Sequence, residues 1–112
     1  MDITTKETQG VIVISLQGAM LGGGEAKSLS DTLHGMIDDG KINGVIDLGE
    51  VTFINSSGLG MLINGLTTLK NAGGQLKIAR ANEKVKHLLT ITKLTSVLQP
   101  FDTLDEAVGS FL

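Results

Sequence analysis

The chain has 112 residues, a length that fits a single domain (residues 1–112) and leaves no room for a second. Its formal net charge of −3 at pH 7 argues against general affinity for DNA or RNA, which requires a basic surface. The sequence contains no cysteine, so disulfides, thiolate metal sites and cysteine nucleophiles are excluded.

The amino terminus and the apolar segments bear on where the protein works. Residues 1–5 lack the basic start and the long apolar run of a secretion signal. No apolar stretch of the sequence approaches the roughly 20 residues that are needed to cross a bilayer. We therefore expect a cytoplasmic protein that does not insert into a membrane.

Apolar periodicity along the chain predicts strands alternating with helices. Short β-branched runs bounded by glycine are typical of strands, and apolar residues at three- and four-residue steps indicate helices. Such alternation implies an α/β domain with a mixed, mostly parallel sheet of four to five strands and four helices packed against it. Strands are expected at 3–8, 11–16, 44–48, 51–54, 75–79 and 97–98, and a glycine-rich loop at 18–24. Helices are expected at 25–39 and from the turn 55–58 to about 72. Two more helices are expected to begin at Asn82, with Ile91 on the apolar face, and at Thr103.

The turn Asn55-Ser56-Ser57-Gly58 separates a predicted strand from a predicted helix. Asn and Ser are good N-caps because their side-chain oxygens accept hydrogen bonds from free backbone N–H groups. A helix N-terminus also carries about half a positive charge and tolerates an added anion. A phosphate on an exposed serine there adds about −1.5 to −2 charges to a docking surface. The turn therefore predicts either a plain helix cap or an on/off switch for binding.

Other patterns that carry chemistry are incomplete in this sequence. A catalytic serine needs a base within reach, and His34 and His87 lie in predicted helices away from the turn. The glycines at 22–24 are not followed by the Lys-Ser/Thr pair of a phosphate-binding loop. The adjacent carboxylates at 38–39 have no third acidic group near them in sequence. We therefore predict no catalytic residues, no metal and no cofactor, which leaves an enzyme or small-nucleotide binder as the weakest alternative.

The segment VIDLGEVTFINSSGLG, residues 45–60, resembles the central signature of STAS domains, in particular that of bacterial anti-sigma factor antagonists. The resemblance extends over essentially the whole chain, including the strand at 11–16 and the final amphipathic helix. It implies a STAS-like fold and a partner-switching function. In that family the unphosphorylated antagonist binds an anti-sigma factor, a serine kinase of the histidine-kinase-like ATPase fold, and so releases a sigma factor. The kinase switches the antagonist off by phosphorylation, and a phosphatase restores it.

Carried over position by position, the resemblance implies that Ser56 is the phosphoacceptor. The sequence departs from the family in having Asn55 where an Asp is usual, and apolar Ala19 and Leu21 where acidic residues are usual. These departures favour an alternative, a STAS docking subunit of a transport or signalling complex that has no switch. In either case we expect the protein to be a monomer when it is free and to form complexes with other proteins. The predicted partner-binding residues are Asn55, Ser56, Ser57, Gly58, Leu59, Leu62, Met20 and Leu21.

Overall fold

A computed structural model describes residues 2–112 and confirms the predicted α/β class. Over those residues the chain forms one five-stranded sheet with the strand order β1-β2-β3-β4-β5. None of the described helices is long and apolar enough to span a bilayer. The strands are β1 (Asp2–Thr8), β2 (Val11–Met20), β3 (Asn43–Ile54), β4 (Gln75–Ala79) and β5 (Pro100–Phe101). The α-helices are α1 (Gly24–Asp38), α2 (Ser56–Asn71), α3 (Glu83–Ile91) and α4 (Leu104–Gly109), with a 3-10 turn at Leu94–Ser96.

The sheet is mixed because it opens with a hairpin. Strands β1 and β2 are antiparallel, and Gln9 and Gly10 connect them with positive φ angles of 53° and 83°. Two consecutive positive φ angles are typical of the tight hairpin turn whose twist matches that of the strands. Each of the pairs β2–β3, β3–β4 and β4–β5 is parallel. The predicted hairpin and the mostly parallel sheet are therefore confirmed.

The two faces of the sheet bury apolar groups of unequal size. Successive side chains of a strand point to opposite faces, so Val45 and Ile46 of β3 belong to different clusters. The larger cluster joins the sheet to α1, α2 and α3 through Ile14, Leu33, Ile46, Leu62, Leu69, Ile78 and Leu89, among others. The smaller cluster joins the opposite face to α4 through Val11, Val13, Val45, Ala79, Ala107 and Val108.

In the region of β2 and β3, the structure differs from the prediction in the bounds of two strands and of the glycine-rich loop. The segments 44–48 and 51–54 are one strand, because register shifts between Ser15 and Gln17 and between Gly18 and Ala19 place one extra β3 residue at each bulge. Pairing therefore continues through the Gly49-Glu50 step. Strand β2 likewise runs on to Met20, so the loop predicted at 18–24 is shorter than expected.

The prediction of an edge strand at 97–98 is wrong. Val97 ends the 3-10 turn and is 46% exposed, whereas Leu98 is fully buried, so Leu98 packs into the core and the two residues do not form a strand. The edge strand begins at Pro100, and proline is tolerated as the first residue of an edge strand. The N–H of Ile78 donates to the Gln99 carbonyl at 3.2 Å.

A buried carboxylate ties β3 to its neighbours on the α4 side of the sheet. Asp47 accepts hydrogen bonds from Ser15 Oγ at 3.0 Å, from the Gly49 N–H at 3.0 Å, and from Arg80 Nε and Nη2 at 2.8 and 2.9 Å. Burial by itself would raise the pKa of Asp47, but the hydrogen bonds from Arg80, Gly49 and Ser15 outweigh it and lower the pKa below its usual value. Because Gly49 has no side chain, the guanidinium fits beside it.

Because of these hydrogen bonds, we expect wild type and an Asp47 variant to differ in stability by an amount that depends on pH. We expect Asp47→Asn to lower the free energy of unfolding at pH 7 by about 1–2 kcal/mol, since a charge-assisted pair of hydrogen bonds is lost. The folded-state pKa of Asp47 is depressed, so its contribution is complete above the unfolded pKa of about 3.9 and disappears as the pH falls through the folded value. Urea unfolding of wild type and Asp47→Asn between pH 7 and pH 2 measures whether the difference between their free energies of unfolding disappears at low pH.

The control for this experiment is Asp31→Asn, because Asp31 forms an exposed ion pair with Lys27. That substitution should change stability by less than about 0.5 kcal/mol at any pH. A gap between wild type and Asp47→Asn that stays constant down to pH 2 would contradict the role assigned to the ionised carboxylate.

Candidate functional site

The turn between β3 and α2 is held by the side chain and the backbone of Asn55. Its Oδ1 accepts from the Gly58 N–H at 2.7 Å, and its carbonyl accepts from the Leu59 N–H at 2.9 Å. Its Nδ2 donates to the Leu21 carbonyl at 3.2 Å, and its own N–H donates to the Met20 carbonyl at 3.2 Å. Asn55 therefore caps α2 and also fastens the end of β2 to the turn.

The two serines that follow are the accessible polar groups of this turn. Ser56 and Ser57 are both exposed at the N-terminus of a 16-residue helix. Within residues 2–112, neither hydroxyl and neither backbone N–H has a hydrogen-bond partner. Free N–H groups and the helix dipole together favour an anion at this point. The arrangement can therefore accept a phosphate on a serine without loss of the cap.

Close packing of the turn against the preceding loop requires glycine at two positions. A methyl group on Gly58 would overlap the carbonyl oxygen of Met20. A methyl group on Gly22, whose φ angle is 90°, would lie 2.7 Å from Cβ of Ser57. The glycine-rich loop thus serves close packing against the turn. Leu21, the residue before Gly22, donates its N–H to the Glu25 carboxylate at 3.1 Å.

The structure corrects the predicted partner-binding set at two residues. Met20 and Leu62 are 0% exposed, so neither side chain can contact a partner in this fold, and their assignment as contact residues is wrong. Met20 points into the core because side chains alternate along β2, and helical periodicity turns Leu62 toward the sheet. Gly58 is buried as well and acts through the shape of the turn.

The remaining predicted contact residues lie together around the N-terminus of α2. Ser56 and Ser57 are exposed, Asn55 and Leu59 are half-buried, and Leu21 is 49% exposed. The Asn55–Leu21 hydrogen bond joins the two sequence segments, 34 residues apart, into one surface. That these residues bind a partner stays a prediction.

Sequence reasoning missed two exposed apolar side chains near this surface. Phe53, in a run treated as an ordinary apolar strand, is 55% exposed. Ile91, which helical spacing placed on the inward face of α3, is 61% exposed. The bulge at Thr52 changes which residues of β3 face the core, and a bulge leaves no signal in apolar periodicity.

Comparisons with known proteins agree with this fold. The STAS domain family model matches residues 2–107. A candidate anti-sigma factor antagonist of Thermotoga maritima is 34% identical over 61 residues, which span 54% of each chain. BtrV, a candidate anti-sigma factor antagonist of Bordetella bronchiseptica, is 24% identical over 111 residues, covering 99% of this chain and 95% of BtrV.

A solved structure shows the same fold over nearly the whole length. The crystal structure of a Thermotoga maritima candidate anti-sigma factor antagonist superposes with a TM-score of 0.87 at 22% identity, covering 96% of this chain and 92% of that one. At such identity the likeness establishes the fold alone, whereas the family model rests on sequence and covers more than nine-tenths of the chain. The chain therefore belongs to the STAS domain family.

Proposed function

We propose that this protein is an anti-sigma factor antagonist that binds an anti-sigma serine kinase of the histidine-kinase-like ATPase fold and releases a sigma factor. Phosphorylation of Ser56 switches it off, and a phosphatase restores it. The observation that carries the proposal is the exposed Ser56 hydroxyl at the N-terminus of α2, which has no hydrogen-bond partner within residues 2–112. The names of the Thermotoga and Bordetella relatives support the same role.

The physical basis of the switch is a change of charge on a surface that keeps its shape. Asn55 caps α2 through Oδ1 of its uncharged amide, so a phosphate on Ser56 would not face a carboxylate at the preceding residue. The phosphate would lie near the positive end of the helix dipole, and α2 would remain folded. It would nevertheless place about −1.5 to −2 charges where a partner has to dock. Binding is then lost through repulsion and desolvation.

The second candidate function is a STAS docking subunit of a larger transport or signalling complex. The observation that favours it is the absence of charge at Ala19, Leu21 and Asn55 around the turn, together with the fixed Asn55–Leu21 contact. In that case Ser56 and Ser57 only begin the helix. The two functions differ in whether a negative charge at residue 56 changes the set of bound proteins.

A pull-down from the native host distinguishes these functions, with wild type and Ser56→Asp as baits and mass spectrometry as the readout. We expect wild type to retain a histidine-kinase-like ATPase and Ser56→Asp to lose it. The expected loss of binding free energy is about 2 kcal/mol, roughly thirtyfold in affinity, because the new carboxylate meets a surface formed for an uncharged serine. Ser96→Asp, at an exposed serine of the 3-10 turn, is the matched control and should retain the ATPase.

Two results would contradict the proposal. If wild type and Ser56→Asp retain the same non-kinase complex, the protein is a docking subunit and Ser56 only begins α2. If the captured ATPase and ATP leave Ser56 unmodified in purified protein, as judged by phosphopeptide mass spectrometry, the site is not a phosphoacceptor.

A further inference from the structure

An apolar groove lies beside the turn, between the end of β3 and helix α3. Strand β4 ends at Ala79, opposite Asp47, so among the described residues no strand pairs with the rest of that β3 edge. Helix α3 approaches this open edge, and the Nδ2 of its N-cap Asn82 donates to the Val51 carbonyl at 3.4 Å. The space left between them has a volume of about 230 Å³. We call it the β3–α3 groove, lined by Phe53, Ile54, Lys84, His87, Leu88 and Ile91, among others.

The groove exposes large apolar side chains to solvent. Phe53 and Ile91 are each more than half exposed, Phe53 on the β3 side of the groove and Ile91 on the α3 side. Exposed apolar side chains that line one concave site favour the binding of an apolar group there. Aromatic residues beside a pocket are also the groups that most often dominate the affinity of protein interfaces.

The charges around the groove indicate the chemistry of its occupant. Lys84 and His87 line it, and within residues 2–112 neither has an ion-pair or hydrogen-bond partner. Lys86, two residues after Lys84 on the same helix, is instead paired with Asp102 at 2.9 Å. No Asp or Glu among the described residues lines the groove. An apolar group with a carboxylate beside it is therefore the complementary ligand.

The position of the groove connects it to the turn that carries Ser56. Phe53 lies near the end of β3, two residues before Asn55. The turn itself offers a partner mainly two serine hydroxyls, which are small and uncharged and supply little apolar area. A protein interface needs a desolvated anchor in a pocket as well as polar contacts around it. The groove supplies that anchor point next to the switch.

We propose that the β3–α3 groove is the anchoring part of the partner surface. It receives a large apolar side chain from a segment of the anti-sigma factor, and an acidic residue of the same segment pairs with Lys84. This inference rests on the proposed function, because it assigns the affinity for the same partner to the groove and its on/off control to Ser56. A partner can then be held by apolar contact while the charge on the serine decides whether it stays.

The first test places the photo-crosslinker p-benzoylphenylalanine at residue 53, 91 or 97 of the full chain in the native host. Val97 is exposed and apolar but lies outside the groove, so it is the matched control. We expect positions 53 and 91 to crosslink to the ATPase that wild type retains, through a peptide that contains a large apolar residue next to Asp or Glu. Position 97 should not crosslink to it.

The second test measures affinity for that purified ATPase. Phe53→Ser and Ile91→Ser should each weaken binding by about tenfold or more, and Lys84→Glu should do so too. Val97→Ser and Lys70→Glu, at exposed residues outside the groove, should change affinity by less than about twofold. The substituted groove side chains are all exposed, so circular dichroism is expected to show unchanged folding.

The outcomes separate this inference from the proposed function. If the ATPase binds and responds to Ser56→Asp, yet the groove variants bind with wild-type affinity, the groove is not the anchor and the proposed function stands. If positions 53 and 91 crosslink only to a second copy of this chain, the groove is a self-association surface and the inference is overturned. If no ATPase is captured by wild type, both fail together.

Discussion

Replacing Gly58 with alanine is expected to lower the free energy of unfolding by about 3 kcal/mol, at the upper end of the usual cost of overpacking. The added methyl group would overlap the carbonyl oxygen of Met20. That oxygen is a backbone atom that accepts a hydrogen bond from Asn55, so it cannot rotate away as a flexible side chain could. The gain in helix propensity from Gly to Ala is about 1 kcal/mol and does not offset the overlap.

Gly60→Ala is the matched control, two residues further along α2. A methyl group on Gly60 meets nothing within 4 Å, so only the gain in helix propensity remains. We expect that variant to be more stable than wild type by about 0.5–1 kcal/mol. Urea unfolding at pH 7 measures both variants. Equal stabilities for the two would mean that the turn is not packed tightly against Met20.

The second large effect is expected at Leu62, whose side chain is fully buried between α2 and the sheet. Leu62→Ala should cost about 2–5 kcal/mol, the range for removing a buried leucine side chain and leaving a cavity. Leu112→Ala is chemically the same change at a residue that is 74% exposed, and it should change stability by less than about 0.5 kcal/mol. Thermal and urea unfolding compare the two variants directly.

Leu62→Ala also tests whether the Leu62 side chain contacts a partner. If Leu62 acts only through the core, the fraction of the variant that is folded should bind the partner with unchanged affinity. Affinity measured at a temperature well below the unfolding midpoint separates the two effects. If the variant binds the partner more weakly without losing stability, Leu62 is a contact residue.

Much of the architecture follows from local patterns in the chain. The β-branched run at 11–16, the Gln9-Gly10 turn and the three- and four-residue apolar spacing after Gly58 each depend on neighbours in sequence. Cap chemistry is local as well, which is why Asn55 and Thr103 begin helices where the sequence predicts them. The Ser56 turn was predictable for the same reason, since its position between a strand and a helix is a short-range property.

Contacts between distant segments determined the rest. Whether β3 is one strand or two depends on bulges against β2, and whether Phe53 faces the core or the solvent depends on the same bulges. The Asp47–Arg80 pair joins residues 33 apart, and Arg80 reaches Asp47 only because Gly49 leaves space for its guanidinium.

Length, spacing and residue type thus specify which elements form, because hydrogen bonding and apolar periodicity within a helix or a strand are short-range. They also specify the turn at which Asn55 caps α2. Register, bulges and the packing of α2 and α3 against the sheet decide which side chains are buried. Those features assign Met20 and Leu62 to the core and leave Phe53 and Ile91 on the surface, because burial is a property of the assembled chain and not of any segment alone.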